Sequence, residues 1–336
     1  MLPRSMNDER NDGPPDAGRE SSLHDASPRF SAFKLPTKKS GPYIIVEKGG
    51  ELWFCQSRAS SIGRLDIESG KCIEYPASTP DAFPVGIVEG ADGAMWFAEQ
   101  AANNVCRIGA NGDIDIHAMP IAGSGPTGLI LGEDGNVWFS LAEAGRIGRI
   151  SPDGRFDDFG GPRPGSRPLS LVARDGAIWF SQIGAGSIGR LTYDGEYTEF
   201  KTPSTDSAPR ALALHQDGSI WGVLTNANAL VRIDRDGRMA EFGVPGPPAS
   251  LRGVTVAPDG DVYFTANATN KIGRMTASGR LVGQYAIPGE NCGARCIMCT
   301  EAGRIFFSGF DAGEIIELSS GESPATEVDR AGTPAR

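Results

Sequence analysis

Three arginines recur at nearly equal intervals in the second half of the chain, and their side-chain chemistry favours anion binding. Arg252 follows Arg210 by 42 residues, and Arg295 follows Arg252 by 43. A guanidinium group stays protonated at neutral pH and presents a planar fork of N–H donors, which matches carboxylate or phosphate oxygens. If the three side chains converge, they bind an anionic small molecule or belong to an internal ion-pair network. The acidic candidates for such a network are Glu99, Glu290 and Asp311.

This interval belongs to a repeat that covers most of the chain. An aromatic position recurs at steps of 43, 42, 41, 42, 42 and 43 residues: Trp53, Trp96, Trp138, Trp179, Trp221, Tyr263 and Phe306. Turn sequences such as Asp134-Gly135 precede it and predict tight type I′ hairpins. The tripeptide Ile-Gly-Arg follows at Ile62, Ile147, Ile188 and Ile272, and its arginine is expected to form an ion pair between blades at the strand surface. A period of about 40 residues with four strands predicts an all-β fold, a seven-bladed β-propeller of four-stranded antiparallel blades.

The last repeat supplies only three strands, from Ala294 to about Leu318. Residues 29–36 match the fourth strand of the other repeats, so this N-terminal strand is predicted to complete blade seven and to remove the free sheet edge. The propeller is predicted to span residues 28–320, between disordered polar tails at residues 1–27 and 321–336. The predicted blades are 41–79, 80–123, 124–165, 166–206, 207–248, 249–292, and 293–320 with 28–38.

Composition excludes several classes of function. The chain has 42 acidic and 32 basic residues and a net charge of −10, and no basic stripe with interleaved aromatic residues, which argues against nucleic-acid binding. No apolar run approaches the roughly 18 residues of a membrane span, so no membrane partner is expected. The N-terminus lacks the apolar segment of a signal peptide, and the six cysteines are expected to be reduced thiols. We therefore expect a cytoplasmic protein, and we expect it to be a monomer.

Two rings of residues are predicted to surround the central channel, where loops converge on a rigid scaffold. The first ring lies at a Pro-x-Gly sequence, or its relic, that begins each blade. Its members are Tyr43, Val85, Thr127, Leu169, Arg210, Arg252 and Arg295. The second ring lies two residues after the phenylalanine of each Trp-Phe pair. Its members are Gln56, Glu99, Leu141, Gln182, Leu224, Ala266 and Gly309. The predicted ligand-binding residues are the polar members Tyr43, Gln56, Glu99, Gln182, Arg210, Arg252 and Arg295.

Other residues with reactive side chains fit structural roles better. Cys292, Cys296 and Cys299 have the C-x₃-C-x₂-C spacing of a radical-SAM cluster loop, but two of them fall inside a predicted strand and favour buried thiols. His117 and His215 are expected on the surface, and no histidine maps to the channel. Glu99 is the one acidic residue of the second ring. It is a candidate base or metal ligand, although an ion pair with an arginine is the stronger interpretation.

The repeat resembles the virginiamycin B lyase, or streptogramin lyase, family over about residues 29–318. The shared pattern runs Pro-x-Gly, Asp-Gly, Trp-Phe-x-Glu, Lys-Ile-Gly-Arg and Glu-Phe-x-x-Pro. Two stretches match it closely, Trp96 to Glu99 and Asn270 to Arg274. The resemblance implies the seven-bladed fold. It also implies a carbon–oxygen lyase activity that opens type B streptogramins, which are cyclic depsipeptides, by elimination at the ester bond with Mg²⁺.

The resemblance also assigns site positions to this chain. The family has histidines, as general base and substrate-binding group, where this chain has Arg295 and Arg252. A Mg²⁺-binding glutamate corresponds to Gly293, and a second falls at Gly309, Phe310 or Asp311. Protonated arginine is not an ordinary general base, and a Mg²⁺ site needs carboxylates. The candidate metal ligands that remain are Glu99 and Asp311.

Three hypotheses follow from these residues. The chain is a diverged family member that binds an anionic ligand in its channel, with Arg210, Arg252 and Arg295 as the anchors. Alternatively, it is an active, Mg²⁺-dependent streptogramin B lyase with a rearranged site, a function in antibiotic resistance. In the third hypothesis the propeller is a protein-interaction platform that uses its rim.

Overall fold

The computed structural model describes residues 28–160 and 164–319 and contains 28 strands. The first of them, β1, spans Arg29–Lys34. Blade one contains β2 Pro42–Lys48, β3 Glu51–Gln56, β4 Ser61–Asp66 and β5 Cys72–Pro76. Blade two contains β6 Pro84–Glu89, β7 Met95–Glu99, β8 Asn104–Ile108 and β9 Ile114–Ala118. Blade three contains β10 Pro126–Leu131, β11 Val137–Leu141, β12 Arg146–Ile150 and β13 Phe156–Phe159. Blades four and five contain β14 Pro168–Arg174, β15 Ala177–Gln182, β16 Ser187–Thr192, β17 Tyr197–Lys201; and β18 Pro209–Leu214, β19 Ile220–Leu224, β20 Ala229–Ile233, β21 Met239–Gly243. Blades six and seven contain β22 Leu251–Val256, β23 Val262–Ala266, a 3₁₀ turn at Asn267–Thr269, β24 Lys271–Met275, β25 Leu281–Ala286; and β26 Ala294–Cys299, β27 Ile305–Gly309, β28 Glu314–Ser319.

The strands form seven antiparallel sheets of four strands each, so the prediction of a seven-bladed propeller is confirmed. Six sheets follow chain order. The seventh has the order β1-β28-β27-β26, with β1 paired to β28 from Arg29 opposite Ser319 to Lys34 opposite Glu314. The predicted closure by the N-terminal strand is therefore confirmed. The predicted tails, residues 1–27 and 321–336, lie outside the described residues.

Aromatic side chains fill the space between blades. The Trp221 face of blade five packs on Phe264 of blade six, and Trp96 of blade two packs in the same way on Phe139 of blade three. Both members of each pair are almost fully buried, and such side chains contribute most of the hydrophobic burial between sheets. The recurring aromatic position thus holds the ring together.

The glycine of Ile-Gly-Arg makes room for the phenylalanine of the same blade. A Cβ at Gly273 would lie 2.0 Å from the Phe264 ring, and a Cβ at Gly148 would lie 2.4 Å from the Phe139 ring. In blade five the small and the large residue are exchanged: Gly222 stands at the phenylalanine position, and its strand partner Val231 stands at the glycine position. The motif is therefore explained by volume on one sheet face.

Two local expectations from the sequence are wrong. The turn before Trp138 is not type I′: Gly135 has φ +77° but Asp134 is not left-handed, and the Gly135 N–H donates to the Gly132 carbonyl at 3.0 Å. This longer turn lets the Asp134 carboxylate accept a hydrogen bond from Trp138 Nε1 at 3.1 Å. The arginine of Ile-Gly-Arg was expected to pair between blades, but Arg149 binds Asp157 of its own blade at 2.7 Å.

In the described ranges no helix has the length and apolarity needed to cross a membrane.

Candidate functional site

A cavity of about 220 Å³ lies in the central channel. The first strand of every blade contributes to its wall. All seven residues of the first predicted ring line it: Tyr43, Val85, Thr127, Leu169, Arg210, Arg252 and Arg295. The volume is just below the range of about 300–1,000 Å³ that is typical of ligand pockets, which suits a small ligand.

The Pro-x-Gly sequence has a structural explanation at this wall. A Cβ at Gly86 would lie 2.0 Å from the Thr127 carbonyl oxygen, and one at Gly128 would lie 2.1 Å from the Leu169 carbonyl oxygen. The glycine therefore lets the first strands of neighbouring blades approach around the channel, while the residue before it projects into the cavity wall.

One part of the wall is positively charged and has no counter-charge among the residues that the structure describes. Arg210, Arg252 and Arg295 lie on blades five, six and seven and are half-buried. Within residues 28–160 and 164–319, none of their guanidinium groups has a carboxylate or hydrogen-bond partner. The Nε atoms of Arg210 and Arg252 are buried and unsatisfied. An unpaired buried donor costs about 1–3 kcal/mol, so this arrangement favours binding of an anion.

The same environment changes the acidity of the arginines. Burial lowers the pKa of Arg210, and the charges of Arg252 and Arg295 lower it further. Burial also lowers the pKa of Arg252, again with a contribution from Arg295. Both pKa shifts mean that the charged form of these arginines is disfavoured in the empty cavity. A bound anion would stabilise that charged form.

Arg295 is held by aromatic rings. Its Cζ atom lies 3.7 Å from the centroid of Phe310 and 5.4 Å from that of Tyr43. Arg58 Cζ also lies 4.3 Å from the Phe310 centroid, and its Nη2 pairs with Asp311 at 2.7 Å. Cation–π contacts of this kind fix a guanidinium without neutralising it. Arg295 is therefore positioned and remains available to a ligand.

The opposite wall, on blades two to four, is apolar or internally satisfied. Val85 and Leu169 present alkyl side chains to the cavity. The Thr127 hydroxyl donates to the Gly125 carbonyl at 2.9 Å, and the Ser170 hydroxyl accepts a hydrogen bond from the Leu212 N–H at 3.1 Å. The cavity therefore has two chemically different sides.

The second predicted ring does not line the cavity. Gln56 donates to Ser61 Oγ and to Glu74 Oε1, at 2.9 and 3.0 Å, and Gln182 makes equivalent bonds to Ser187 and Tyr197. Second-strand side chains project from the sheet faces towards neighbouring blades, and the first strand separates them from the channel. These residues are therefore outside the cavity wall, and their assignment to it is corrected.

Glu99 has the same interior position. Its carboxylate accepts hydrogen bonds from the Ser78 hydroxyl and amide, at 2.7 and 3.0 Å, and from Asn104 Nδ2 at 3.0 Å. It is fully buried, and no arginine of the described ranges pairs with it. The expected ion pair is therefore wrong, and neutral donors satisfy the carboxylate instead.

Of the histidines and cysteines that the structure describes, Cys296 alone lines the cavity. His117 is half-buried and stacks on Trp96, with the two ring centroids 5.3 Å apart. His215 is 8% exposed, and its Nε2 atom lies 3.1 Å from the Gly260 carbonyl oxygen. The expected surface position of His215 is therefore wrong, because its ring links blades five and six. Cys296 lines the cavity, and burial raises its pKa to about 11. In the described part of the chain the cysteines are free, and no cluster of three potential metal ligands is found.

The positions that the resemblance assigns to Mg²⁺ do not fit the ion. Gly293 has no side chain, and a Cβ there would lie 2.3 Å from Asp311 Oδ2. Asp311 is the one carboxylate at these positions, and Arg58 neutralises it. Phe310 contributes a ring that carries two guanidinium groups. Mg²⁺ needs oxygen ligands in octahedral geometry, so this set does not form its site.

A ring of left-handed residues just outside the cavity was not predicted from the sequence. The residue two positions before each member of the first ring has positive φ: Gly41, Phe83, Gly125, Arg167, Ala208, Ser250 and Gly293. Such a conformation is strained for a bulky residue, and Phe83 holds it with 36% of its surface exposed. Glycine at three of these positions was the available signal. Arg58, which no repeat marks, was also missed.

Comparisons with known proteins agree with this architecture. The profile of the Virginiamycin B lyase family matches residues 24–174 and 169–327. A streptogramin B lyase structure is 30% identical, covers 87% of this chain and 97% of its own, and has a TM-score of 0.82. Selenomethionine-substituted virginiamycin B lyase from Staphylococcus aureus is 32% identical, with coverages of 87% and 99% and a TM-score of 0.83. The same values hold for its catalytically inactive histidine-to-alanine variant with quinupristin. A comparison with curated proteins gave no match.

The family profile covers both halves of the propeller, and the solved lyases align over nearly their whole length. This chain belongs to the virginiamycin B lyase family.

Proposed function

We propose that this chain is a diverged member of its family that binds a small anionic molecule in the central channel. Arg210, Arg252 and Arg295 are the anchors. The observation that carries the proposal is the buried, unsatisfied Nε of two of these arginines, with no carboxylate beside them in the described ranges. Burying charge is costly unless it is paired, and a bound anion supplies that pairing.

Internal neutralisation is the competing explanation, and the contacts of the acidic candidates argue against it. Asp311 pairs with Arg58, and Glu99 accepts hydrogen bonds from Ser78 and Asn104. Two of the three acidic candidates are thus engaged elsewhere, and the third, Glu290, is exposed and does not line the cavity. Tyr43 is part of the proposed site, because its ring lies beside the Arg295 guanidinium.

The proposal separates binding from the chemistry of the solved lyases. A guanidinium that remains protonated cannot abstract a proton as an ordinary base, so Arg252 and Arg295 supply charge and orientation only. The set around Gly293 and Asp311 is not a Mg²⁺ site. We therefore propose binding that needs no metal and no ring opening of streptogramins.

Titration calorimetry with acetate and inorganic phosphate tests the anion site. We expect saturable binding that a chelator leaves unchanged. Arg252→Gln should weaken it about tenfold to 100-fold, because a charge-assisted hydrogen bond is worth about 1.5–3 kcal/mol. Arg149→Gln is the matched control, since Arg149 is an ion-paired arginine of blade three. Absence of binding by the folded protein, or an equal loss in both variants, would refute the proposal.

A second experiment tests the divergence. The purified protein is incubated with a type B streptogramin and Mg²⁺, and chromatographic retention is followed together with mass. We expect neither to change. A retention shift at unchanged mass would show elimination, and the interpretation of Arg252 and Arg295 as disabling would then be wrong. A gain of one water would show hydrolysis, which would also contradict the proposal.

A further inference from the structure

The cavity wall has a charged side, formed by blades five to seven, and a mainly apolar side, formed by blades two to four. Blades five to seven carry the three arginines, which have no counter-charge in the described part of the chain. Blades two to four carry Val85 and Leu169, together with Thr127, whose hydroxyl is bonded to its own backbone. The buried, unsatisfied nitrogen donors of the cavity wall therefore lie on blades five and six, while the side formed by blades two to four presents mainly alkyl groups.

We infer that the ligand is amphipathic: a small organic carboxylate whose anionic head binds the arginines and whose apolar body lies against Val85 and Leu169. The inference rests on the proposed anion site and adds the chemical class of the molecule. An inorganic anion would satisfy the arginines but would leave the apolar wall in contact with water, which loses the favourable burial of that surface.

The size of the cavity limits the ligand. A volume of about 220 Å³ is too small for most drug-sized molecules, so the apolar body is short.

A homologous series of carboxylates tests the inference by titration calorimetry. Acetate, butyrate and hexanoate carry the same head and differ only in apolar length. We expect affinity to rise about two- to fourfold with each buried methylene, as the transfer of hydrocarbon from water predicts. Leu169→Gln should reduce the affinity for hexanoate about tenfold and leave that for acetate unchanged, whereas Arg252→Gln should weaken both.

Leu214→Gln is the matched control, because Leu214 also lies on a first strand but is 45% exposed and outside the cavity wall. It should change neither affinity. If acetate and hexanoate bind equally well, the amphipathic inference is overturned and the anion site stands. If Leu169→Gln and Leu214→Gln have the same effect on hexanoate, the apolar wall is not the contact. If none of the three binds, the anion site fails as well.

Discussion

Arg252→Met should stabilise the free protein while it weakens ligand binding. Methionine keeps the apolar length of the arginine side chain and removes the charge. In the structure, Arg252 has a buried Nε without a partner, and burial together with Arg295 lowers its pKa. The native guanidinium is therefore expected to cost stability in the empty cavity.

The size of the effect follows from these contacts. An unsatisfied buried donor costs about 1–3 kcal/mol, and partial exposure to solvent places Arg252 at the lower end. We expect the free energy of unfolding to rise by about 1 kcal/mol. For a domain of this size that corresponds to an increase of about 2 °C in the melting temperature.

Differential scanning fluorimetry in low-chloride buffer measures the change. Arg149→Met is the control and should lower the melting temperature. Arg149 pairs with Asp157, and its Cζ atom lies 5.2 Å from the centroid of the Trp138 ring. A ligand at 100 times its dissociation constant stabilises by about 2.7 kcal/mol. With a saturating anion such as hexanoate, the wild-type protein should therefore become more stable than Arg252→Met.

Two results would refute the reasoning. If Arg252→Met lowers the melting temperature in anion-free buffer as much as Arg149→Met does, the guanidinium is structural and already satisfied. If a saturating anion raises the melting temperature of both Arg252→Met and wild-type protein equally, the binding site is elsewhere on the molecule.

Two further predictions concern the blades and the thiols. Gly273→Ala should lower the free energy of unfolding by about 1–3 kcal/mol, because its Cβ would lie 2.0 Å from the Phe264 ring. Urea unfolding measures this change, and an unchanged unfolding midpoint would contradict the close contact. Burial raises the pKa of Cys296 and Cys292 to about 11 and that of Cys72 to about 12, so the native thiols should react slowly with a chromogenic disulfide reagent at pH 8 and faster as the pH approaches 11. Because unfolded thiols ionise near pH 8.5, stability should fall as the pH rises above that value, and rapid reaction of the native protein at pH 8 would contradict this.

The sequence by itself determined the architecture. Strand alternation, turn residues and an aromatic position that recurs every 41 to 43 residues specify the blades, because each depends on local geometry or on contact between adjacent repeats. The fourth-strand pattern at residues 29–36 was enough to predict the closure of the ring, since only blade seven lacked a strand. The first ring could also be located, because Pro-x-Gly, or a relic of it, marks the start of each blade.

Only the tertiary structure decided which side chains reach the cavity and which charges remain unpaired. Gln56, Glu99 and Gln182 were placed in the channel on spacing alone, but the sheet face on which they lie is turned towards other strands. The partner of Asp311 is Arg58, on the other side of the seam between blades one and seven. Spacing along the chain fixes the height of a residue in the propeller, whereas the direction and the neighbours of its side chain depend on contacts between distant segments.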